Sequence, residues 1–132
     1  MPASPAAIFQ QQLDCIMADD REGQLRLYTE DILYEFPYAA DRPREIRGRA
    51  EFRRIMTPLW DRARSLGVKV TGSEHALHQT LDPERIIAEF TLAIEVQQKR
   101  GEMRFVQFLW IRDGLIAAVR EYFNPQARNE LI

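Results

Sequence analysis

Two hydrophobic periods alternate along the chain, and their order lays out its elements. Ile8, Phe9, Leu13 and Ile16 recur at helical spacing behind Ser4 and Pro5. A serine that caps the free N–H groups, followed by a proline that has none to satisfy, is a helix start, and this helix is predicted to run to about Ala18. Asp19 and Asp20 cap a short second helix whose Leu25, Leu27 and Tyr28 pack inward and which ends at residues 29–31. From Ile32 to Tyr38 the period falls to two, setting Ile32, Tyr34, Phe36 and Tyr38 on one face of a strand. Residues 39–47, with Pro43 and three arginines, read as a polar surface loop.

From Gly48 the helical period returns. Phe52, Ile55, Met56, Leu59, Trp60, Ala63 and Leu66 mark a long amphipathic helix ending at Gly67, and Pro58 inside it is predicted to bend it near Arg54. Four strands follow, Val68 to about Gln79, Ile86 to Gln97, Met103 to Arg112 and Leu115 to Phe123, as an antiparallel meander. Asp113-Gly114 has the sequence of a two-residue hairpin turn, which pairs Arg112 with Leu115, Trp110 with Ala117, Phe108 with Val119 and Val106 with Glu121. Lys99-Arg100-Gly101 suits a three-residue loop that aligns Ile94 with Val106, Leu92 with Phe108 and Phe90 with Trp110. The predicted order is α-α-β-α-β-β-β-β, an α+β fold in which a curved antiparallel sheet wraps a long bent helix into an open cone.

Composition narrows the field. A chain of 132 residues with 45% hydrophobic and 29% charged content fits one domain, 1–132, with room for a single core and a modest cavity. A net charge of -2 lacks the basic excess of a phosphate-tracking surface, which argues against nucleic acid. No apolar run approaches the roughly 18 residues of a membrane span, and the first residues lack the basic flank of a secretory signal, so the chain is expected to be cytoplasmic and off the membrane. Cys15 is alone, among apolar neighbours, and reads as a small buried hydrophobe.

The chemistry concentrates on one acid. Strand alternation puts Leu115, Ala117, Val119, Glu121 and Phe123 on one face, with Glu121 the sole charge among them. A carboxylate on a core face must be neutralised, paired, or set beside a cavity. In the predicted register Val106, Phe108 and Trp110 join it, with Tyr34, Phe36 and Tyr38 facing from the first strand. Such surroundings raise its pKa and suit it to proton transfer near neutral pH; pairing with an arginine at the strand end is the plain alternative. Tyr34, Phe36, Tyr38, Met56, Trp60, Phe90, Val106, Phe108 and Trp110 are the candidate ligand-binding residues, either a ring-lined site with polar handles or an ordinary aromatic core.

Other features are weaker. His75 and His78 lie three apart on a strand, which sends them to opposite faces, and no other ligands gather, so no metal site is expected. His78 is a candidate cavity residue or a structural histidine. Arg42, Arg44, Arg47 and Arg49, with Arg53 and Arg54 beyond, either draw an anionic ligand to the mouth or form a solvated loop. Arg120 and Tyr122 face away from Glu121, beside Leu109, Ile111, Ile116 and Ala118, a face apolar enough to be covered by a homodimer partner or by loops and the C-terminal tail. Phosphate loops, nucleophile elbows and cofactor fingerprints are missing, so no cofactor is expected.

Three segments together, 27–37 (Leu27 to Pro37), 46–52 (Ile46 to Phe52) and 120–125 (Arg120-Glu121-Tyr122-Phe123-Asn124-Pro125), resemble the SnoaL-like branch of the nuclear transport factor 2-like, or ketosteroid isomerase-like, superfamily. They are also similar to phenazine-biosynthesis PhzA/PhzB-type proteins. The resemblance implies a cone-shaped fold, a homodimer, a hydrophobic pocket used without cofactor for cyclisation, isomerisation, condensation or dehydration, and an acid–base carboxylate on the last strand, at Glu121. The aspartates of the steroid isomerases would fall near Phe36 and Phe108, and the helix histidine of the PhzA/PhzB type at Ile55, so neither mechanism carries over. Two functions are expected from this reading. One is an acid–base enzyme, of isomerase, cyclase or dehydratase type, on a flat apolar carbonyl or polycyclic metabolite. The other is a non-catalytic ligand-binding or dimeric accessory protein.

Overall fold

The structure, a computed structural model, describes residues 3–131. Helices α1 (Pro5–Met17) and α2 (Arg21–Arg26) lead into strand β1 (Tyr28–Glu35) and a short β2 (Glu45–Arg47). The long helix α3 (Arg49–Ser65) follows, then β3 (Val68–Gln79), β4 (Arg85–Val96), β5 (Lys99–Arg112), β6 (Leu115–Phe123) and α4 (Pro125–Leu131). The caps are those the sequence implies: Ser4 accepts from the Ala7 N–H and Asp20 from the Gly23 N–H, each contributing about 1 kcal/mol.

The sheet is curved and open, in the order β2-β1-β6-β5-β4-β3. Its ladders are antiparallel except for β1–β6, which is parallel. Two elements go beyond the expected order. Ile46 is buried opposite Tyr34, which turns the end of the predicted loop into β2, and Pro125, no longer able to continue a ladder, starts α4. β1 begins at Tyr28 rather than Ile32 and ends before Pro37.

Register is where structure and sequence pattern part. The Asp113-Gly114 turn forms, with both residues at positive φ (53° and 77°), and pairs Arg112 with Leu115. Beyond it Ile111 pairs with Ile116 but Trp110 pairs with Ala118, so Ala117 is an extra, bulged residue. The bulge lets Ile116 and Val119, three residues apart, both reach the core with no exposed surface. It also changes partners: Glu121 stands opposite Gln107, and Val106, Phe108 and Trp110 lie on the outer face.

The β4–β5 connection differs as well. It turns at Gln97-Gln98, with Gln97 at φ 58°, and Lys99 pairs with Val96. Ile94 therefore meets Gly101, Leu92 meets Met103 and Phe90 meets Phe105. The inner faces decide this register: Ile86, Ala88, Phe90, Leu92, Ile94 and Val96 are all buried, and a one-residue slip would turn the whole row out to water. Gly101 sits within a strand because Leu131 of α4 lies on it, where an added Cβ would stand 2.5 Å from Leu131 Cδ2. In β3 a second bulge at Thr71, between the pairs Val70–Ile94 and Gly72–Ala93, flips the strand beyond it.

Helix α1 packs on β3 and β4, α3 crosses β1, β2 and β3, and α4 lies on β5. All line the concave side of the sheet. The core, which includes Phe9, Tyr28, Phe36, Phe52, Leu109 and Ile116, fills the base between them and leaves the opposite end hollow.

Candidate functional site

Below the Ala117 bulge β6 alternates regularly, so Val119, Glu121 and Phe123 all point into the concavity. Glu121 is 9% exposed. Its Oε1 accepts two hydrogen bonds, from the Tyr34 hydroxyl at 3.0 Å and from Gln107 Nε2 at 2.6 Å. Gln107 Nε2 also lies 3.2 Å from the Tyr34 hydroxyl, tying three strands at one point. Among the described residues Oε2 has no hydrogen-bond partner, and it opens on the hollow, which Glu121 lines. Burial raises the carboxyl's pKa; the bonds from Gln107 and Tyr34 and the positive charge of Arg42 oppose the rise without cancelling it. Tyr34 is itself pushed well up, by burial and then by the charge of Glu121, so its hydroxyl stays a donor.

The hollow has a volume of about 560 Å³, within the range of small-molecule sites. Glu121 is in its wall with Tyr34, Phe36, Met56, Trp60 and Phe90, six of the residues singled out from sequence. The others are placed elsewhere. Tyr38 follows the end of β1 and is 69% exposed, against Tyr122. Val106, Phe108 and Trp110 are turned to the outer face by the Ala117 bulge, where Phe108 meets Tyr122 and Trp110 lies under Arg85. His78 is turned out by the Thr71 bulge and pairs with Glu89 at 2.7 Å, while His75 on the opposite face meets Phe9. Among the described residues no three His, Cys, Asp or Glu side chains gather to hold a metal ion.

Of the arginine run, Arg42 alone lines the hollow. Its guanidinium lies over the rings of Phe36 and Phe123 and grips Asp41 through Nε (2.9 Å) and Nη2 (3.1 Å), leaving Nη1 with only the Met56 sulfur at 3.7 Å. Arg128 of α4 reaches the same Asp41 at 2.8 Å. Burial works against the charge of Asp41, but the two arginines prevail and hold its carboxyl below the usual range. Two cations on one carboxylate leave the mouth positive. Arg47, Arg53 and Arg54 are paired on the surface with Glu45, Glu22 and Glu51. Gly101→Val is expected to push Leu131 away and loosen α4, seen as faster amide exchange over 125–131 with the sheet's protection unchanged.

Sequence pattern missed the polar floor of the site. Gln12, Gln24 and Gln107 are buried at 0, 5 and 1% exposure, and with Tyr28 they form a hydrogen-bonded line that ends on Glu121. The signal was present: Gln12 occupies a core position of α1, one turn after Ile8 and beside Leu13.

The same architecture recurs in solved structures. A Bacillus subtilis protein provisionally named an isomerase superposes with a TM-score of 0.78 at 21% identity, over 96% of this chain and 90% of its own. A Pseudomonas putida KT2440 protein provisionally named a polyketide cyclase gives 0.71 at 18% identity, over 95% of both chains. A Mycobacterium tuberculosis protein in complex with estradiol-17beta-hemisuccinate gives 0.72 at 24% identity, over 95% of this chain and 98% of its own. At these identities the likeness is one of fold. No curated protein matches the sequence at a significant level. The sequence profile of the SnoaL-like domain matches residues 9–119, most of the chain, and the protein therefore belongs to the SnoaL-like domain family, within the nuclear transport factor 2-like superfamily.

Proposed function

We propose that this protein is a cofactor-independent acid–base enzyme, of isomerase, cyclase or dehydratase type, acting on a flat apolar carbonyl compound, with Glu121 as the group that moves the proton. The observation that carries this reading is the division of labour between two oxygens: Oε1 is fixed by Tyr34 and Gln107, and Oε2 is left to face an apolar hollow. As a carboxylate, Glu121 takes a proton from the carbon beside the carbonyl; a C–H bond breaks, an O–H bond forms on Oε2, and the electron pair moves to the carbonyl oxygen as an enolate. Returning the proton to another carbon of the conjugated system completes an isomerisation. The raised pKa keeps the proton affinity of Glu121 closer to that of the transition it serves. Arg42 Nη1, which among the described residues meets only a thioether, is a further polar group of the hollow and is available to an oxygen of the ligand.

The ligand class follows from shape. Rings of Tyr34, Phe36, Phe52, Trp60 and Phe90 favour a rigid, flat guest, and the steroid derivative held by the Mycobacterium tuberculosis relative supports a polycyclic one. The test is deuterium incorporation at the α-carbon of enolisable polycyclic ketones in heavy water, with affinity followed by Trp60 fluorescence. Exchange in the wild type that disappears in Glu121→Gln, with affinity kept, supports the enzyme. Tight binding without exchange in the wild type favours the accessory binder instead.

We further propose a homodimer through the outer face of the sheet, where Ile87, Val106, Phe108, Trp110 and Tyr122 form a half-buried apolar patch. Light scattering on a size-exclusion column is expected to give twice the chain mass, and Phe108→Asp the mass of one chain.

A further inference from the structure

The buried amides beneath Glu121 are arranged in one direction. Arg21 Nη1 donates to Gln24 Oε1 at 3.3 Å, and Gln24 Nε2 to the Tyr28 hydroxyl at 3.0 Å. Tyr28 donates to Gln12 Oε1 at 3.0 Å, Gln12 Nε2 to Gln107 Oε1 at 2.9 Å, and Gln107 Nε2 to Glu121 Oε1 at 2.6 Å. The ends force this order. A guanidinium has only donors and a carboxylate only acceptors, so each amide between them must turn its oxygen towards Arg21 and its nitrogen towards Glu121. Reversing any one of them sets donor against donor or acceptor against acceptor among buried groups, at a cost comparable to burying an unpaired polar group.

We infer that Arg21, Gln24, Tyr28 and Gln12 are positioning residues for Glu121: from α2, β1 and α1 they hold the Gln107 amide with its nitrogen on the carboxylate. None but Gln107 bonds to Glu121, and only Gln24 and Arg21 of the line reach the hollow. Arg21 is fixed at its outer side by Asp19 at 2.9 Å and lies over the ring of Trp60, 4.9 Å from its centroid. The line therefore runs from the edge of the ligand hollow, beneath its floor, to the reacting acid.

The other groups that face Glu121 are few. Tyr34 bonds to it from β1, Tyr28 stands behind Tyr34, and Arg42 acts on it from the loop after β1. Helix α3 brings Phe52, Met56, Leu59, Trp60 and Ala63 to the hollow with one charged residue, Arg62, and Arg128 of α4 is engaged with Asp41. Freed from Gln12, the Gln107 amide can turn, and the carboxylate loses a charge-assisted bond.

The inference rests on the acid–base reading for its purpose, but its test reads the carboxyl directly. Protein labelled with carbon-13 at the glutamate carboxyl is titrated by NMR, with the Glu121 signal identified by its loss in Glu121→Gln. Gln12→Met is expected to raise the midpoint by about one pH unit, as loss of a bond to a charged group requires. Gln24→Met and Arg21→Met, remote from the carboxyl, are expected to raise it by about half as much, and Arg21→Lys, still a donor-only cation, to leave it at the wild-type value. Should Gln12→Met fail to fold, Gln24→Met and the partly exposed Arg21 decide the matter. Unchanged midpoints in folded Gln24→Met and Arg21→Met would overturn the inference, and so would a shift in Arg21→Met alone, which is a charge effect without a line. If Glu121→Gln keeps full ketone exchange, the acid–base reading falls while the midpoint shifts stand.

Discussion

Glu121→Gln is expected to lose about 100- to 10,000-fold in ketone exchange, the usual weight of a general acid–base group, and at the same time to become more stable than the wild type at neutral pH. Both effects come from one cause. Glutamine has the shape of glutamate, and its Oε1 accepts from Tyr34 and Gln107 as before, so the floor of the site is kept. What disappears is the proton and, above the titration range, a buried negative charge. An enzyme that keeps such a charge where it is poorly solvated retains stability only by giving up the chemistry.

The pH dependence has a definite sign. Burial raises the folded-state pKa of Glu121 above its unfolded value, so the folded protein holds its proton more tightly. Below the ordinary carboxylate range both states are protonated and the wild type is at no disadvantage. As pH rises through that range the unfolded chain ionises first, and the wild type loses stability relative to Glu121→Gln at about 1.4 kcal/mol per pH unit until the raised midpoint is passed. Thermal melts of the two proteins between pH 4 and 8 should therefore coincide at the acid end and separate with rising pH, then run parallel. Curves that coincide throughout would show a carboxylate as well solvated folded as unfolded, and would remove the physical basis for its proposed role.

The fold was more legible than the site, for a reason that lies in the bulges. Element type depends on period, and the periods along α1, α3 and β3 to β6 are long and regular enough to declare themselves. Sidedness depends on counting residues from a fixed point, and one extra residue reverses everything beyond it. Plain alternation from Leu115 to Phe123 sets Val119, Glu121 and Phe123 inward, as observed, but also Leu115 and Ala117, which the bulge takes off that face in favour of Ile116. Counting from the Asp113-Gly114 turn across Ala117 placed Val106, Phe108 and Trp110 with them, and these are outside. The same error at Thr71 displaced His78. A sequence clue to the first bulge exists: Leu109, Ile111, Ile116 and Val119 are the most apolar set on β5 and β6, and only an insertion puts all four on one face.

The polar residues escaped notice because pattern reading treats glutamine as surface. Gln12 and Gln107 carry no charge to advertise their cost, and their partners lie 95 residues apart in sequence. In the sequence Arg42 is one member of a basic run; what sets it apart, the rings of Phe36 and Phe123 on which it lies, is a tertiary fact.

Phe52→Ala is expected to be the most destabilising single change in the wall of the hollow, by about 3–5 kcal/mol, and to lower the melting temperature by roughly 10–20 °C. Phe52 is 1% exposed and is the hub of the aromatic group: its ring lies 4.6 Å from that of Tyr34, 5.4 Å from Tyr28 and 5.9 Å from Trp60. Truncation leaves a void continuous with the ligand hollow, and it frees Tyr34 and Tyr28, which hold the polar floor in place. The expected signature is thus a loss of stability accompanied by weaker ketone binding, read by calorimetry and by Trp60 fluorescence. Phe108→Ala is the matched control, because the same side chain on the outer face of the sheet is only half-buried in the single chain. Its expected cost in the monomer is well below that of Phe52→Ala. A cost for Phe108→Ala that grows with protein concentration would locate the second copy of the chain on that face, since stability then depends on association. Equal, concentration-independent losses in the two variants would contradict the assignment of Phe52 to the core and Phe108 to the outer surface.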